Sequence, residues 1–421
     1  MRQIEEVMAK SAGLASEGCI RMTGWKQEEL GGLATFKSGG TPSKGNDSFW
    51  GGSFPWVTAK DMKSPRIGSS ILSLTEEGKS HSKIAESGSL LVLVRGMTLR
   101  KDVPICLATR DLSFNQDIKA LSVNEGVDSD FLLYGLQAKK HELLRLVDSA
   151  GHGTGRLDLE LLKGLVVPLP ASVDEQQKIA AILSTWDEAI EKLTKLIAAK
   201  RRRKQGLMQR LLTGRFKLAA FRSQPWRKRE LGEFFTEHRT INKNGEELTI
   251  LSCSKIYGIV PQSEVFGKRL ASKDLGRYKI VGKGDLVYDP MLLWDASIGF
   301  SERVDRGVIS PAYATFHYRS GKGDWRFFRH LFQTHYMKHQ YKVISRGTNV
   351  RRRKAMPEDF LRVAVRMPNT TEEQRHIATI LDDSDLQVRL LESQRNALQT
   401  QKRGLMQKLL TGQWRVEVTD E

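Results

Sequence analysis

The chain has 421 residues, 39% of them hydrophobic, enough to bury more than one core, so two or more domains are expected. Its formal charge of +18 favours a polyanionic partner, nucleic acid ahead of a membrane surface, over acidic small molecules. No stretch approaches the roughly 18 continuous apolar residues of a membrane helix, Glu5, Glu6, Lys10 and Glu17 interrupt any signal-peptide core, and Cys19, Cys106 and Cys253 lack CxxC spacing; a soluble cytoplasmic protein without membrane contact, disulfide or thiolate metal site is expected.

In chain order, residues 1–24 form an N-terminal extension with no assignable role. Residues 25–170 alternate short β-rich runs, such as Ser89-Leu-Leu-Val-Leu-Val94, with Gly and Pro turns and short amphipathic helices, which predicts an α/β globule. Within it, Lys37-Ser-Gly-Gly-Thr-Pro-Ser-Lys44 offers backbone amides, hydroxyls and lysines suited to phosphate oxygens, although a surface turn explains such a loop as well. The neighbouring Phe49, Trp50, Phe54 and Trp56 read better as core than as a base-stacking platform. Gly151-His-Gly-Thr-Gly-Arg156 resembles part of a nucleotide fingerprint but lacks the strand and the third spacing that cofactor binding requires.

Residues 171–215 carry apolar residues in alternating steps of four and three: Ile179, Leu183, Trp186, Ile190 and Leu193, then Ile197, Leu207 and Leu211. This is a heptad seam that needs a partner helix. Asp174 is a suitable cap and Gly214 a suitable stop, giving a helix of about forty residues, on the order of 60 Å. Lys200-Arg-Arg-Arg-Lys204 lies inside this helix and reads as a solvated or subunit-contact face before a DNA contact. After a linker, 216–225, residues 226–368 repeat the α/β pattern, and 369–414 repeat the helix with Ile377, Leu381, Val388 and Leu391 at seam positions, a capping box at Thr371-Glu-Glu-Gln374 and a stop at Gly412. Residues 415–421 form a tail.

The repeat is literal in the helices. Lys204-Gln-Gly-Leu-Met-Gln-Arg-Leu-Leu-Thr-Gly214 recurs as Lys402-Arg-Gly-Leu-Met-Gln-Lys-Leu-Leu-Thr-Gly412, displaced by 198 positions (402 − 204). Glu175-Gln-Gln-Lys-Ile-Ala-Ala-Ile-Leu183 recurs as Glu373-Gln-Arg-His-Ile-Ala-Thr-Ile-Leu381 at the same displacement. Pro170 and Pro368 precede the copies, and Trp25-Lys-Gln-Glu-Glu-Leu-Gly31 and Trp226-Arg-Lys-Arg-Glu-Leu-Gly232 open the halves. The predicted fold is therefore α/β: two pseudo-twofold-related α/β target recognition domains separated by a pair of long antiparallel coiled-coil helices. Packing of each helix on its own domain is the plainer alternative, which a helix longer than its domain argues against.

The halves suit nucleic-acid reading. Ser345-Arg-Gly-Thr-Asn-Val-Arg-Arg-Arg-Lys354 combines donors for base edges with a phosphate-neutralising run, and Gly151–Arg156 lies at the corresponding place, four residues nearer its helix. The candidate DNA contacts are Lys37, Ser38, Thr41, Lys44, Lys60, Arg95 and Arg156 in the first half, with Arg346, Thr348, Asn349, Arg351 and Arg352 in the second. His81, His152, His238, His317 and His376 have no carboxylate or second histidine at metal-ligand spacing, so no metal site is expected.

Two variable domains alternating with near-identical long helices resemble the specificity subunits of type I restriction-modification enzymes, the HsdS family. So do Ser38-Gly-Gly-Thr-Pro42, Gly51-Gly-x-x-Pro55-Trp56, the Gly-Thr before each helix and Pro-x(4)-Glu-Gln at 170 and 368. The resemblance spans residues 25–414. It implies that each variable domain reads one half of a split, asymmetric site in double-stranded DNA while the helices set the gap. It also implies recruitment of two methyltransferase (HsdM) subunits, which use S-adenosylmethionine, and two restriction (HsdR) subunits, which use ATP and Mg2+, so that this chain carries no cofactor. The absence of an Asn-Pro-Pro-aromatic motif and of GxxxxGK[ST] agrees with a non-catalytic subunit. The rivals are a nuclease or methyltransferase in its own right, and a coiled-coil scaffold binding DNA or RNA without base specificity.

Overall fold

The computed structural model describes residues 24–150, 153–255, 257–266, 272, 274–347 and 353–417, and only the backbone of Ser149 and Ala150. The N-terminal extension lies outside the described residues apart from Gly24. Among those described, no helix is long and apolar enough to cross a membrane. The α/β chain falls into two compact units: one takes the chain up to Leu193 and the stretch from Gln394 onward, the other takes Thr194–Ser393. The unit boundaries thus cut both long helices, where the heptad pattern suggested a separate helical module.

In the first unit, the strand Trp25–Glu29 pairs antiparallel with Val166–Pro170, placing Trp25 opposite Pro170. The two sequence marks that open and close the variable half are therefore hydrogen-bonded partners. Between them lies a five-stranded sheet in the order Ala34–Ser38, Ile118–Val123, Leu90–Leu93, Ile105–Ala108, Arg66–Ile67. A four-stranded sheet follows the order Leu72–Leu74, Trp50–Val57, Leu112–Phe114, Ile84–Ala85. All four residues of Leu90–Leu93 are buried, so both faces of this central strand are covered, which is why its sequence is an unbroken apolar run rather than an alternation. The helix Ser129–Ala138 is capped by Asp128, whose carboxylate accepts the Phe131 amide at 2.8 Å.

The second unit closes in the same way, Trp226–Glu230 against Ala364–Pro368 with Trp226 opposite Pro368. Its sheets run Phe235–Glu237, Ala314–Tyr318, Leu286–Tyr288, Ile298–Phe300 and Gly258–Pro261, Thr249–Ser254, Arg306–Ile309, Lys279–Gly282. An aromatic core built on Phe235, Phe316, Phe328, Phe332 and Phe360 fills the space between the first of these sheets and its helices.

The long helices span Val173–Leu211 and Thr371–Leu409, 39 residues each. Their caps differ from expectation by one or two residues. Ser172 Oγ accepts the Glu175 amide at 3.4 Å and Thr370 Oγ1 accepts the Glu373 amide at 3.3 Å, so neither Asp174 nor Thr371 caps its helix. The Glu-Gln pairs inside the two helix starts, Gln374 of the anticipated capping box included, are used elsewhere. Glu175 accepts the Trp25 indole N–H at 3.3 Å, and Glu373 accepts that of Trp226 at 2.9 Å. The glutamines beside them tie each helix to its domain: Gln176 accepts the Asp128 amide and donates to Pro170 O, and Gln374 accepts the Asp324 amide and donates to Pro368 O. The repeated Glu-Gln is therefore a joint between helix and domain. Gly214 and Gly412 adopt φ of +70° and +72°, and a Cβ on either would press on Trp226 or Trp25 at 3.1–3.2 Å.

Within each unit the two helix segments lie side by side and antiparallel. In the first, Ile179 and Leu183 share a core with Met406, Leu409 and Leu410, and Lys402 donates to Asp187 at 2.6 Å. In the second, Leu207 and Leu211 share a core with Ile377 and Leu381, and Lys204 donates to Asp385 at 2.5 Å. Of the seam residues, Ile179, Leu183, Ile377, Leu381 and Val388 are buried, whereas Trp186, Ile190, Leu193 and Leu391 are half-buried. Full burial of an aliphatic side chain stabilises by about 1.5–3 kcal/mol, so the seam is strongest where the helices meet a domain core.

Candidate nucleic-acid interface

The strand Ala34–Ser38 runs antiparallel to Ile118–Val123 with Ser38 opposite Lys119, and the Lys119 ammonium donates to Ser38 Oγ. The following glycine-rich loop folds back so that Thr41 donates to Gln116 Oε1 at 2.6 Å. The amides of Val94 and Arg95 both point at Asp117 O, at 2.8 and 3.3 Å, which holds Arg95 beside the same turn. Arg95 in turn stands opposite Arg156 in a strand pair. The result is a groove lined by Arg95, Gln116, Lys119, Thr154 and Arg156. Arg95, Lys119 and Arg156 form no ion pair among the described residues. Asp158, on the rim, is committed to capping the helix Leu159–Lys163. Three cations that make no ion pair, beside the carboxylates of Asp117 and Asp158 and with a hydroxyl and an amide at their edge, suit a phosphate chain with donors left over for base edges.

Two candidates, Arg95 and Arg156, line the groove, and Ser38 and Thr41 bond to its lining residues Lys119 and Gln116. Lys37, one residue out of phase, donates instead to Ile84 O at 2.9 Å. Lys44 and Lys60 are exposed but do not line the groove. Gln116 and Lys119 escaped sequence reading because they lie in an ordinary strand approach and enter the groove only by register with Ser38.

The aromatic cluster serves as core and as brace. Phe49, Phe54 and Trp56 are buried, Trp50 meets Trp56 edge-on at 5.1 Å, and their indoles donate to Ser43 O and Gly40 O, pinning the loop from below. Gly39 has no room for a side chain: a Cβ would lie 2.2 Å from Asn115 O. Gly155 fits closely against Leu99 and Val147, where a Cβ would stand 2.8 and 3.0 Å away, so this glycine marks close packing rather than a phosphate cradle.

In the second domain, Ser345–Arg346 pairs with Lys354–Ala355. The outer residues of this pair, Ser345 and Ala355, are displaced by 198 from Val147 and Leu157 in the first domain, where Val147–Ala150 pairs with Thr154–Leu157. The structural register is therefore unbroken, and the offset read from the Gly-Thr dipeptides arises because they are not equivalent positions: Thr154 opens the second strand, while Gly347 follows the first. Arg346 is exposed and held by Asp359 at 2.9 Å. Thr348, Asn349, Arg351 and Arg352 lie outside the described residues. In the basic helical run, Lys200 donates to Gln387, Arg201 pairs with Glu392 and Lys204 with Asp385, so these three bind the neighbouring helix.

One histidine cluster departs from the linear reading. His238 and His317 stack at 3.7 Å with Asp285 against both, although no sequence spacing linked them. His81 packs on Phe49 and His376 on Phe221, while His152 lies outside the described residues.

Residues 22–201 match the family model of the type I restriction modification DNA specificity domain. The chain is therefore similar, over part of its length, to the specificity subunits of type I restriction enzymes. The MjaVIII specificity subunit of Methanocaldococcus jannaschii is 23% identical over 417 residues, 93% of each chain. The EcoR124I/EcoR124II specificity subunit of Escherichia coli is 32% identical over 173 residues, 40% of this chain and 42% of that protein, so this match covers less than half of the relative's length. The type I S subunit of M. genitalium shares the fold with a TM-score of 0.57 at 16% identity, covering 96% of this chain and 99% of that one. A second solved structure, described with complex assembly and conformational transition of the type I system, gives 0.55 at 18% identity, over 94% and 100%.

Proposed function

We propose that this chain is the non-catalytic reader of a type I restriction-modification complex, each α/β domain recognising one half of a split, asymmetric site in double-stranded DNA. The observation that carries the reading is the first-domain groove, where strand register brings Arg95, Gln116, Lys119 and Arg156 together, with Ser38 and Thr41 bonded to Lys119 and Gln116 and a net positive lining. Cations and donors in one groove supply the two components a DNA reader needs, phosphate attraction for affinity and edge hydrogen bonds for specificity. The second domain, on the same closing joint with a different surface, reads a different sequence. The antiparallel helices act as a coiled-coil spacer fixing the gap. Two methyltransferase and two restriction subunits assemble on the chain and bring the S-adenosylmethionine, ATP and Mg2+ chemistry, in keeping with the complex assembly named for the second solved relative. The protein works in the cytoplasm, where its DNA is.

The test is an exchange of residues 226–368 for the corresponding domain of another family member, with the complex assayed for methylation on duplex libraries. The reading expects one half-site to change and the other half-site and the gap to persist. Loss of both half-sites would contradict separate readers, and methylation without sequence preference would favour a scaffold that binds by charge alone.

A further inference from the structure

The second domain carries a side-chain cluster that DNA reading leaves unexplained. Three neighbouring strands contribute it: His238 follows Phe235–Glu237, His317 lies in Ala314–Tyr318, and Asp285 precedes Leu286–Tyr288. Strand alternation puts Leu286 and Phe316 in the aromatic core and Asp285 and His317 on the opposite face. There the two imidazoles lie parallel, 3.7 Å between centroids and 4° between planes. Asp285 Oδ1 meets His317 Nδ1 at 2.8 Å, and Oδ2 lies 3.3 Å from His238 Nε2. One nitrogen from each ring and one carboxylate oxygen all lie within 4.8 Å of one another.

His238 supplies the independent sign of a missing ligand. Its side chain is only 8% exposed, yet Nε2 makes no hydrogen bond to any described residue, because the nearby carboxylate oxygen is poorly aligned for one. A buried ring nitrogen without a partner costs free energy that a bound group would recover. The remaining groups are arranged as supports. His238 Nδ1 faces Thr240 Oγ1 at 3.4 Å, which leaves Nε2 directed at the cluster, and Asp285 Oδ2 accepts the Gly282 amide at 2.7 Å. The site is open on one side, since the His317 side chain is 57% exposed.

We infer that His238, Asp285 and His317 form a binding site for a divalent transition-metal ion of the zinc class. Two imidazoles and one carboxylate are a borderline donor set matched to such ions and poorly matched to magnesium or calcium, which take mainly oxygen. Binding joins three strands of one sheet through their side chains and gives the orphaned Nε2 a partner. The exposed side leaves a position for water or an incoming group.

The experiment uses the untagged full-length chain, dialysed in metal-free buffer and titrated with Zn2+, with Co2+ as a spectroscopic substitute. The expected result is about one zinc retained per chain, a rise in the unfolding temperature and visible Co2+ absorption of nitrogen and oxygen ligation. His317→Ala, at an exposed position that leaves the fold intact, abolishes all three, and Thr240→Val weakens affinity by about tenfold. Retention well below one zinc per chain overturns the inference. So does full retention by His317→Ala, which would place the metal elsewhere.

Discussion

Asp187 and Lys402 test whether the sequence repeat encodes reciprocal joints between the helices. Asp187 accepts both the Lys402 ammonium at 2.6 Å and the Tyr134 hydroxyl at 2.9 Å, and the ammonium sits 4.8 Å from the Tyr134 ring centre. The Lys402 side chain is 11% exposed and Asp187 34%, so the cation is the buried partner. Asp187→Ala leaves that ammonium without its carboxylate and takes from the Tyr134 hydroxyl the acceptor of its proton. Breaking a fully buried pair costs about 3–5 kcal/mol, which water at Asp187 reduces to about 2. Loss of the hydroxyl's acceptor adds about 1, for a total near 3 kcal/mol. Lys402→Met removes the buried charge and leaves Asp187 on Tyr134, so its cost is about 1 kcal/mol. The double variant is then expected to be less destabilised than the sum, with a coupling of about 1–2 kcal/mol. The counterpart Lys204–Asp385, displaced by 198 at both residues, is more evenly exposed at 23% and 30% and should couple by about 1 kcal/mol. Urea unfolding of the four variants, read on the transition that reports the first unit, measures the cycle. A coupling below about 0.5 kcal/mol at Asp187–Lys402 would refute the reasoning.

Three further outcomes are expected. Lys119→Ala and Arg156→Ala should each flatten the dependence of log affinity on log salt by about 0.9 for every phosphate the native side chain neutralises, measured by fluorescence anisotropy on the assembled complex; an unchanged slope would remove these residues from the interface. Gly39→Ala should weaken DNA binding by dislodging the loop, because its Cβ meets backbone at 2.2 Å, while far-ultraviolet circular dichroism stays unchanged; wild-type affinity would show that the loop does not touch DNA. Asp382 is raised by burial, yet His330 and Arg329 outweigh this and hold its pKa below the ordinary carboxylate value. The stability it contributes is therefore present above the unfolded-state pKa of about 4 and lost as pH falls through the lower folded value. Asp382→Asn should flatten the stability profile below about pH 4, and an identical acid limb would contradict the assignment.

The sequence made the helical half of the fold legible because a literal repeat carries its own register. Glu175 and Glu373, Gln176 and Gln374, Gly214 and Gly412 occupy matching joints in the two units. Their roles were less legible, since Thr371-Glu-Glu-Gln374 reads locally as a capping box, whereas Gln374 reaches the Asp324 amide 50 residues away and Glu373 reaches Trp226 147 residues away. The groove was half visible. Ser38, Thr41, Arg95 and Arg156 stood out by residue type and turn chemistry, while Gln116 and Lys119 depend on strand register. Lys37 lies away from the groove, because strand alternation sends it to the opposite side from Ser38. The His238–Asp285–His317 cluster was invisible for the same reason: its members are 47 and 32 residues apart (285 − 238; 317 − 285) and meet only across three strands.

The most direct test is to co-express the chain with a type I methyltransferase subunit that it binds and to map N6-methyladenine across the host genome by single-molecule sequencing. The account predicts one motif made of two unrelated half-sites separated by an unspecified gap of fixed length. A palindromic motif, or a stable complex that leaves no motif at all, would contradict it.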